Sequence, residues 1–140
     1  IGTFHSYCLQ LLKKNSNLLD IPNFTILDED DKKKIIQKII NDHGAQKKVT
    51  ATNVTYAISK LKNCALEGIV NVQHISDRFM QQLFLLYEQE KKRAHCFDFD
   101  DLLLETLKLF KKNNIFTKNY QNRVRHILVD EYQDTNQVQH

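Results

Sequence analysis

The sequence predicts a mainly α-helical fold, joined near its C-terminal end to one strand of the kind that lies inside an α/β sheet. Three observations carry this. Only three glycines and one proline punctuate 140 residues, while Leu, Ile, Lys and Gln are abundant. Apolar residues recur at spacings of three and four along most of the chain. The exception is His126-Ile127-Leu128-Val129, a compact apolar and β-branched run followed at once by Asp130-Glu131.

The first helix is expected from His5 to about Lys14, with Tyr7, Cys8, Leu11 and Leu12 at helical spacing, and Thr3 or Ser6 is placed to cap it. Asn15-Ser16-Asn17 and Asp20-Ile21-Pro22-Asn23 break it. Phe24-Thr25-Ile26-Leu27 is short and apolar and suits extended chain. Asp28 or Asp30 then caps a helix to about Asp42, with Ile35, Ile36, Ile39 and Ile40 on one face, and His43-Gly44 is its expected stop. Thr50 or Thr52 opens the next, whose stripe is Val54, Ala57, Ile58, Leu61 and Ala65 and whose end is Gly68. Ser76 is the expected cap of a long helix to about His95, lined by Phe79, Met80, Leu83, Leu86 and Tyr87. Asp98 begins another, with Phe99, Leu102, Leu103, Leu107 and Phe110 inward. A short helix from Asn119 to Val124 precedes the apolar run. Each stripe reads as core. Continuous apolarity over 126–129 predicts a strand at 126–130 covered on both faces, yet the sequence offers it no strong partner strand.

Composition narrows the class. At 140 residues and 16.5 kDa, the chain suits one ordinary domain with a single core. No apolar run reaches the roughly 18 residues of a membrane-spanning helix. Ile1-Gly2-Thr3-Phe4-His5-Ser6 has neither the basic flank nor the apolar stretch of a secretory signal, and without an initiator Met the chain is expected to begin partway through a longer protein. Cys8, Cys64 and Cys96 show no metal-binding spacing, and reduced thiols in a cytoplasmic protein are expected. Twenty basic against seventeen acidic residues leave a net charge of +3, gathered in Lys13-Lys14, Lys32-Lys33-Lys34, Lys47-Lys48, Lys91-Lys92-Arg93 and Lys111-Lys112. Such an excess permits a polyanionic partner without demanding one, and runs of this kind are expected on solvated helix faces.

The chemistry concentrates at the end of the apolar run. At the carboxyl end of a sheet strand, one carboxylate can hold the Mg²⁺ that bridges nucleotide phosphates while the next polarises the attacking water. An apolar strand ending in Asp-Glu therefore has the pattern of a Walker B element. Taken alone this is a weak signal. The seven residues Asp130-Glu131-Tyr132-Gln133-Asp134-Thr135-Asn136 are far more specific.

That heptapeptide resembles motif II of the superfamily 1 DNA helicases typified by UvrD, Rep and PcrA. Gly2-Thr3-Phe4-His5-Ser6 resembles their motif Ib, Asp98-Phe99-Asp100-Asp101-Leu102-Leu103 their return into the first motor domain, and Asn23-Phe24-Thr25-Ile26-Leu27-Asp28 a stretch before their inserted helices. The four stand in family order, so the resemblance spans essentially the whole chain. It implies residues 1–10 as the end of a RecA-like motor domain 1A, 11–97 as the helical subdomain 1B, and 98–140 as the return into 1A. From Gly44 to Ile75 no residue-by-residue match is evident, and no lysine there is assigned to DNA.

By the same resemblance, Asp130 is the Mg²⁺-associated carboxylate, Glu131 the general base, and Gln133 a neighbour of the γ-phosphate. Asp134 belongs to the surrounding polar network, and Tyr132 is mainly structural. Thr3, His5 and Ser6 lie on the single-stranded DNA track, although His5 also reads as a buried histidine. Asp98, Asp100 and Asp101 are expected to cap and brace a helix rather than bind metal. The implied partners are ATP, single-stranded DNA and a duplex junction, with no membrane.

A phosphate-binding loop needs G-x-x-x-x-G-K-[ST]. Gly2, Gly44 and Gly68 are the only glycines, and none precedes a lysine. The chain alone is therefore expected to be inactive, requiring the rest of a helicase. Two rival readings follow from the residues. One is a non-catalytic helical module binding DNA or protein through basic faces. The other is a metal phosphohydrolase using Asp130, Glu131 and Asp134.

Overall fold

The computed structural model describes residues 2–43, 49–65 and 69–140. Gly44, Gly68 and Lys47-Lys48, where two expected helix stops and one basic cluster fall, lie outside them. Six α-helices are described: α1 (Phe4–Lys14), α2 (Glu29–Asp42), α3 (Ala51–Asn63), α4 (Arg78–Arg93), α5 (Phe99–Lys112) and α6 (Asn114–Arg123). A mainly helical fold is thus borne out.

The helix starts follow from short polar side chains that accept the orphan amides of a first turn. Thr3 accepts from the Ser6 amide, Asp28 from Asp31, Thr50 from Asn53 and Asp98 from Asp101. For α4 the cap is Asp77, one residue beyond the expected Ser76. The last helix begins at Asn114, capped by Asn113, five residues before the expected Asn119.

Two apolar cores result. The first gathers Ile36, Ile39 and Ile40 of α2, Val54 and Ile58 of α3, and Leu83, Phe84 and Tyr87 of α4, closed by Leu27 and Ile75. The second joins Cys8 and Leu12 of α1 to Leu102, Leu103 and Leu109 of α5, with Phe24 and Phe97 between. The chain passes between them through a neck of two parallel strands, β1 (Thr25–Ile26) and β2 (Cys96–Phe97), in the register Thr25↔Cys96 and Ile26↔Phe97. The Phe24 and Phe97 rings meet at 4.6 Å beside it. Lys13 Nζ reaches across to donate to the Phe24 carbonyl at 2.6 Å. Helices α2 to α4 therefore hang from a short ladder.

The chain suited a single core and two are found, and Tyr7, placed in the α1 stripe, is 49% exposed because α1 buries Cys8 and Leu12 instead. Two further expectations need correction. Residues 124–129 form no strand: the segment is irregular, with Ile127 74% and Leu128 95% exposed. A buried strand must place its amides and carbonyls on neighbours. Among the described residues the only ladder is the two-residue neck, and it does not include this segment. Phe99 is the second case. It was expected inward but is 42% exposed, because α5 buries Leu102, Leu103, Leu104, Thr106 and Leu109 and turns its first residue outward.

All three cysteines are free thiols. Among the described residues, no helix is long and apolar enough to cross a membrane.

Candidate functional site

The acidic segment lies beyond α6. Asp130 Oδ1 accepts from the Glu131 amide at 3.0 Å. Glu131 itself has left-handed backbone, φ 50° and ψ 46°, a conformation that costs a non-glycine residue roughly 1 kcal/mol or more and persists where its surroundings impose it. Here the next three residues, Tyr132–Asp134, close a 3₁₀ turn whose Asp134 amide donates to the Glu131 carbonyl at 2.9 Å. The turn brings Gln133 Nε2 to donate to Glu131 Oε2. Asp130, Glu131 and Gln133 are therefore grouped on one exposed turn. His140 braces it from behind. Its Nδ1 is 2.8 Å from Tyr132 Oη, its Nε2 3.0 Å from Thr135 Oγ1, and its ring stands edge-on to Tyr132.

A second group sits at the start of α1. Thr3 Oγ1 accepts from the Ser6 amide at 3.2 Å, and Ser6 Oγ donates to the Thr3 carbonyl at 2.9 Å. The capping role open to Thr3 is thus real. A Cβ at Gly2 would lie 2.9 Å from Ser6 Oγ, so a larger residue there would turn the Ser6 hydroxyl aside. His5 is half-buried, and its ring meets the exposed Phe99 ring edge-to-face at 6.2 Å. Thr3, Ser6, His5 and Phe99 share one end of the α1–α5 pair. Phe99 was missed in the sequence because its spacing matched the buried stripe.

Between the two cores lies a cluster that charge patterning did not reveal. Lys32, Lys62 and Lys91 are 0, 1 and 2% exposed, although two of them belong to runs expected on solvated faces. Asp98 Oδ2 accepts from Lys62 Nζ and Tyr87 Oη, both at 2.8 Å, with Lys32 and Lys91 Nζ at 3.6 and 3.8 Å. Asp101 accepts from Lys62 at 2.7 Å and also from Lys91. Asp100 Oδ2 accepts from Ser59 Oγ at 2.6 Å and Lys32 Nζ at 3.1 Å. Glu88 Oε1 lies 2.9 Å from both Lys62 and Lys91.

Asp98 and Asp101 also exchange side-chain-to-backbone bonds as a capping box. The expectation that Asp98, Asp100 and Asp101 cap and brace is therefore correct. Burial works to raise the Asp98 carboxyl, but Lys62, Lys91 and Lys32 outweigh it and hold the group well below the usual carboxylate range. Burial likewise works to lower Lys62, and Asp101, Asp98 and Glu88 outweigh it, keeping the ammonium charged well above its ordinary limit. The Tyr87 hydroxyl is pushed up by burial and by Asp98, so it stays a donor.

The sequence pattern of the family described as "UvrD/REP helicase N-terminal domain" matches residues 1–140. The chain belongs to that family. It is 34% identical over 149 residues to ATP-dependent DNA helicase UvrD1 of Mycobacterium leprae (strain TN), a similarity covering 100% of this chain and 19% of the relative. It is 34% identical over 146 residues to ATP-dependent DNA helicase PcrA of Staphylococcus aureus (strain Mu50 / ATCC 700699), covering 100% of this chain and 20% of that protein. The UvrD1 helicase of Mycobacterium bovis (strain ATCC BAA-935 / AF2122/97) is likewise 34% identical over 149 residues. The chain spans about a fifth of the length of these UvrD-type relatives.

Proposed function

We propose that this chain is the motif Ib to motif II stretch of an ATP-dependent DNA helicase, whose whole length couples ATP hydrolysis to movement along single-stranded DNA and to duplex separation. One observation carries the reading: the heptapeptide Asp130–Asn136 stands in a chain matched by the UvrD/REP family from end to end. The two cores support a division of labour. The α1–α5 core belongs to motor domain 1A, and α2 to α4 form the inserted 1B subdomain, which engages duplex through phosphate contacts. In residue terms, the motif resemblance sets the motor pieces at 1–10 and 98–140 and the insert at 11–97; because Leu12, Phe24 and Phe97 share the α1–α5 core, we take all of α1 with the motor pieces and begin and end the insert at the neck.

Glu131 acts as general base, accepting a proton from the water that attacks the γ-phosphate, and Gln133 holds the Glu131 carboxylate while facing that phosphate. Mg²⁺ at a nucleotide takes one or two protein carboxylates and completes its shell with water and phosphate oxygens. Among the described residues no three His, Cys, Asp or Glu side chains are gathered for a metal, and the exposed Asp130 offers the single carboxylate such a phosphate-bridged ion requires. Asp130 would hold Mg²⁺, which when bound neutralises charge on the phosphate oxygens. Thr3, His5 and Ser6 line the single-stranded DNA track, and the exposed Phe99 ring beside His5 extends it with a face on which a base can stack.

The chain alone is proposed to be inactive, because none of its three glycines precedes the lysine of a phosphate-binding loop. The test is made in the full-length protein. Glu131→Gln is expected to abolish DNA-stimulated ATP turnover while ATP binding persists. Turnover at the unsubstituted level removes Glu131 from the base role.

A further inference from the structure

Asn136, the last residue of the heptapeptide, is fixed differently from the rest of the acidic turn. Its Oδ1 accepts from the Val138 and Gln139 amides, each at 3.1 Å, and its own amide donates to Gln139 Oε1 at 2.9 Å. That local turn consumes the carboxamide oxygen and turns the nitrogen outward. Asn136 Nδ2 then donates to Asn63 Oδ1 at 2.7 Å, across 73 residues of sequence. Asn63 closes α3 and is half-buried. Its own Nδ2 donates to Asp100 Oδ1 at 3.2 Å, the carboxylate that also takes Ser59 and Lys32. Both carboxamides are thereby oriented by their partners, since reversing either would set like groups against each other. Val138 packs against the second core just beyond, so the foot of the acidic turn is seated while Asp130–Gln133 stay exposed.

We propose that Asn63 is a positioning residue for the acidic turn, registering it against the inserted helices through Asn136 while Asp100 holds Asn63 in place. The proposal rests on the nucleotide-site reading of Asp130–Asn136. Its consequence is that the insert and the hydrolysis site share a hydrogen-bonded path of three side chains: Asp100, Asn63, Asn136. A shift of α3 relative to α5 displaces the turn that carries Glu131. Among the described residues the side-chain bonds of Asp130–Thr135 stay within the segment 130–140, so the loss of the Asn63 bond falls on catalysis more than on folding.

The experiment is a double-mutant cycle in the full-length protein, reading DNA-stimulated ATP turnover and melting temperature together. Asn63→Ala is expected to lower kcat about three- to tenfold, the worth of one neutral hydrogen bond, with KM for ATP changing less. Asn136→Ala, whose side chain is not in the core, is expected to do the same. The double variant is expected to be no slower than either single. Asn63→Asp keeps an acceptor for Asn136 but sets a carboxylate against Asp100; its kcat should stay nearer the parent's while its melting temperature falls. Kinetic losses that add fully, or kcat losses that simply follow melting temperature across all variants, overturn the proposal. Glu131→Gln in parallel separates the two ideas. Turnover lost there with no coupling between residues 63 and 136 refutes the positioning role alone, whereas turnover retained there refutes the nucleotide-site reading itself.

Discussion

Asp98→Ala should strip the buried cluster of the group on which most of it converges. Asp98 is 0% exposed and accepts from Lys62, Tyr87 and the Asp101 amide, with Lys32 and Lys91 close by. Its removal uncaps α5, worth about 1 kcal/mol. It also leaves the Tyr87 hydroxyl without its acceptor, worth about 1–3 kcal/mol. Three buried ammonium groups then face Asp100, Asp101 and Glu88, with Glu29 3.9 Å from Lys32. These effects share atoms and do not add, and breaking a buried charge pair from one side costs about 3–5 kcal/mol as a whole. With urea slopes of about 1–3 kcal/mol per molar, the midpoint of unfolding should fall by roughly 2 M. Far-UV circular dichroism of the 140-residue chain in urea reads this directly. Asp98→Asn, which keeps the shape and an acceptor for the Asp101 amide, should lose less. Lys33→Ala, one residue from buried Lys32 but exposed, is the control. If Asp98→Ala moves the midpoint no further than that control, the cluster is not what holds α2, α3 and α4 against α5.

Asp98 and Lys62 set the two limits of the pH profile of stability, while Asp101, whose carboxyl is held by burial above its ordinary value, works against Asp98 on the acid side. Asp98 lies below its unfolded value, so its contribution is complete above about pH 5 and is lost as pH falls through the carboxylate range. Lys62 lies above its unfolded value, so its contribution is complete below about pH 9 and is lost as pH rises beyond the ordinary lysine range. Urea midpoints of the unsubstituted chain should therefore form a plateau between those limits, and Asp98→Ala should flatten the acid side; an acid side of unchanged steepness contradicts the assignment. Lys32→Met, which removes the cation bound to Ser59 and Asp100, should destabilise by about 3–5 kcal/mol as one side of a buried pair is lost, against little change for Lys33→Ala. Thermal melts of the two neighbours check it. Phe99→Ala in the full-length protein should weaken single-stranded DNA binding about tenfold, as expected when one stacking platform is lost, with little effect on folding. Unchanged affinity by fluorescence anisotropy removes the ring from the track.

Four of the six described helix starts were legible because their causes are local, while those of α4 and α6 were displaced. Thr3, Asp28, Thr50 and Asp98 each cap the turn that follows them, and the stripes of α2, α3 and α4 need only their own spacing. The functional motif was legible for another reason: a contiguous run of seven residues carries its specificity in order alone. The buried lysines left a trace that charge-run reasoning overrode. Each continues an apolar stripe at a spacing of four: Lys32 before Ile36 and Ile40, Lys62 after Val54 and Ile58, Lys91 after Leu83 and Tyr87. A lysine there reads equally as a solvated end of the stripe. Only the packing of three helices against the Asp98–Asp101 turn decides between the two, because burial of a charge depends on partners that are distant in sequence. The strand expected at 126–130 failed on the same principle from the opposite side: its apolarity is local, but a strand exists only where other backbones meet it. Sequence alone thus determined which residues can start helices and which acidic run carries the resemblance to motif II. Tertiary structure decided which charges are neutralised inside, which apolar residues face water, and that Asn136 is tied to the end of α3, since each of these is a relation between segments rather than a property of one.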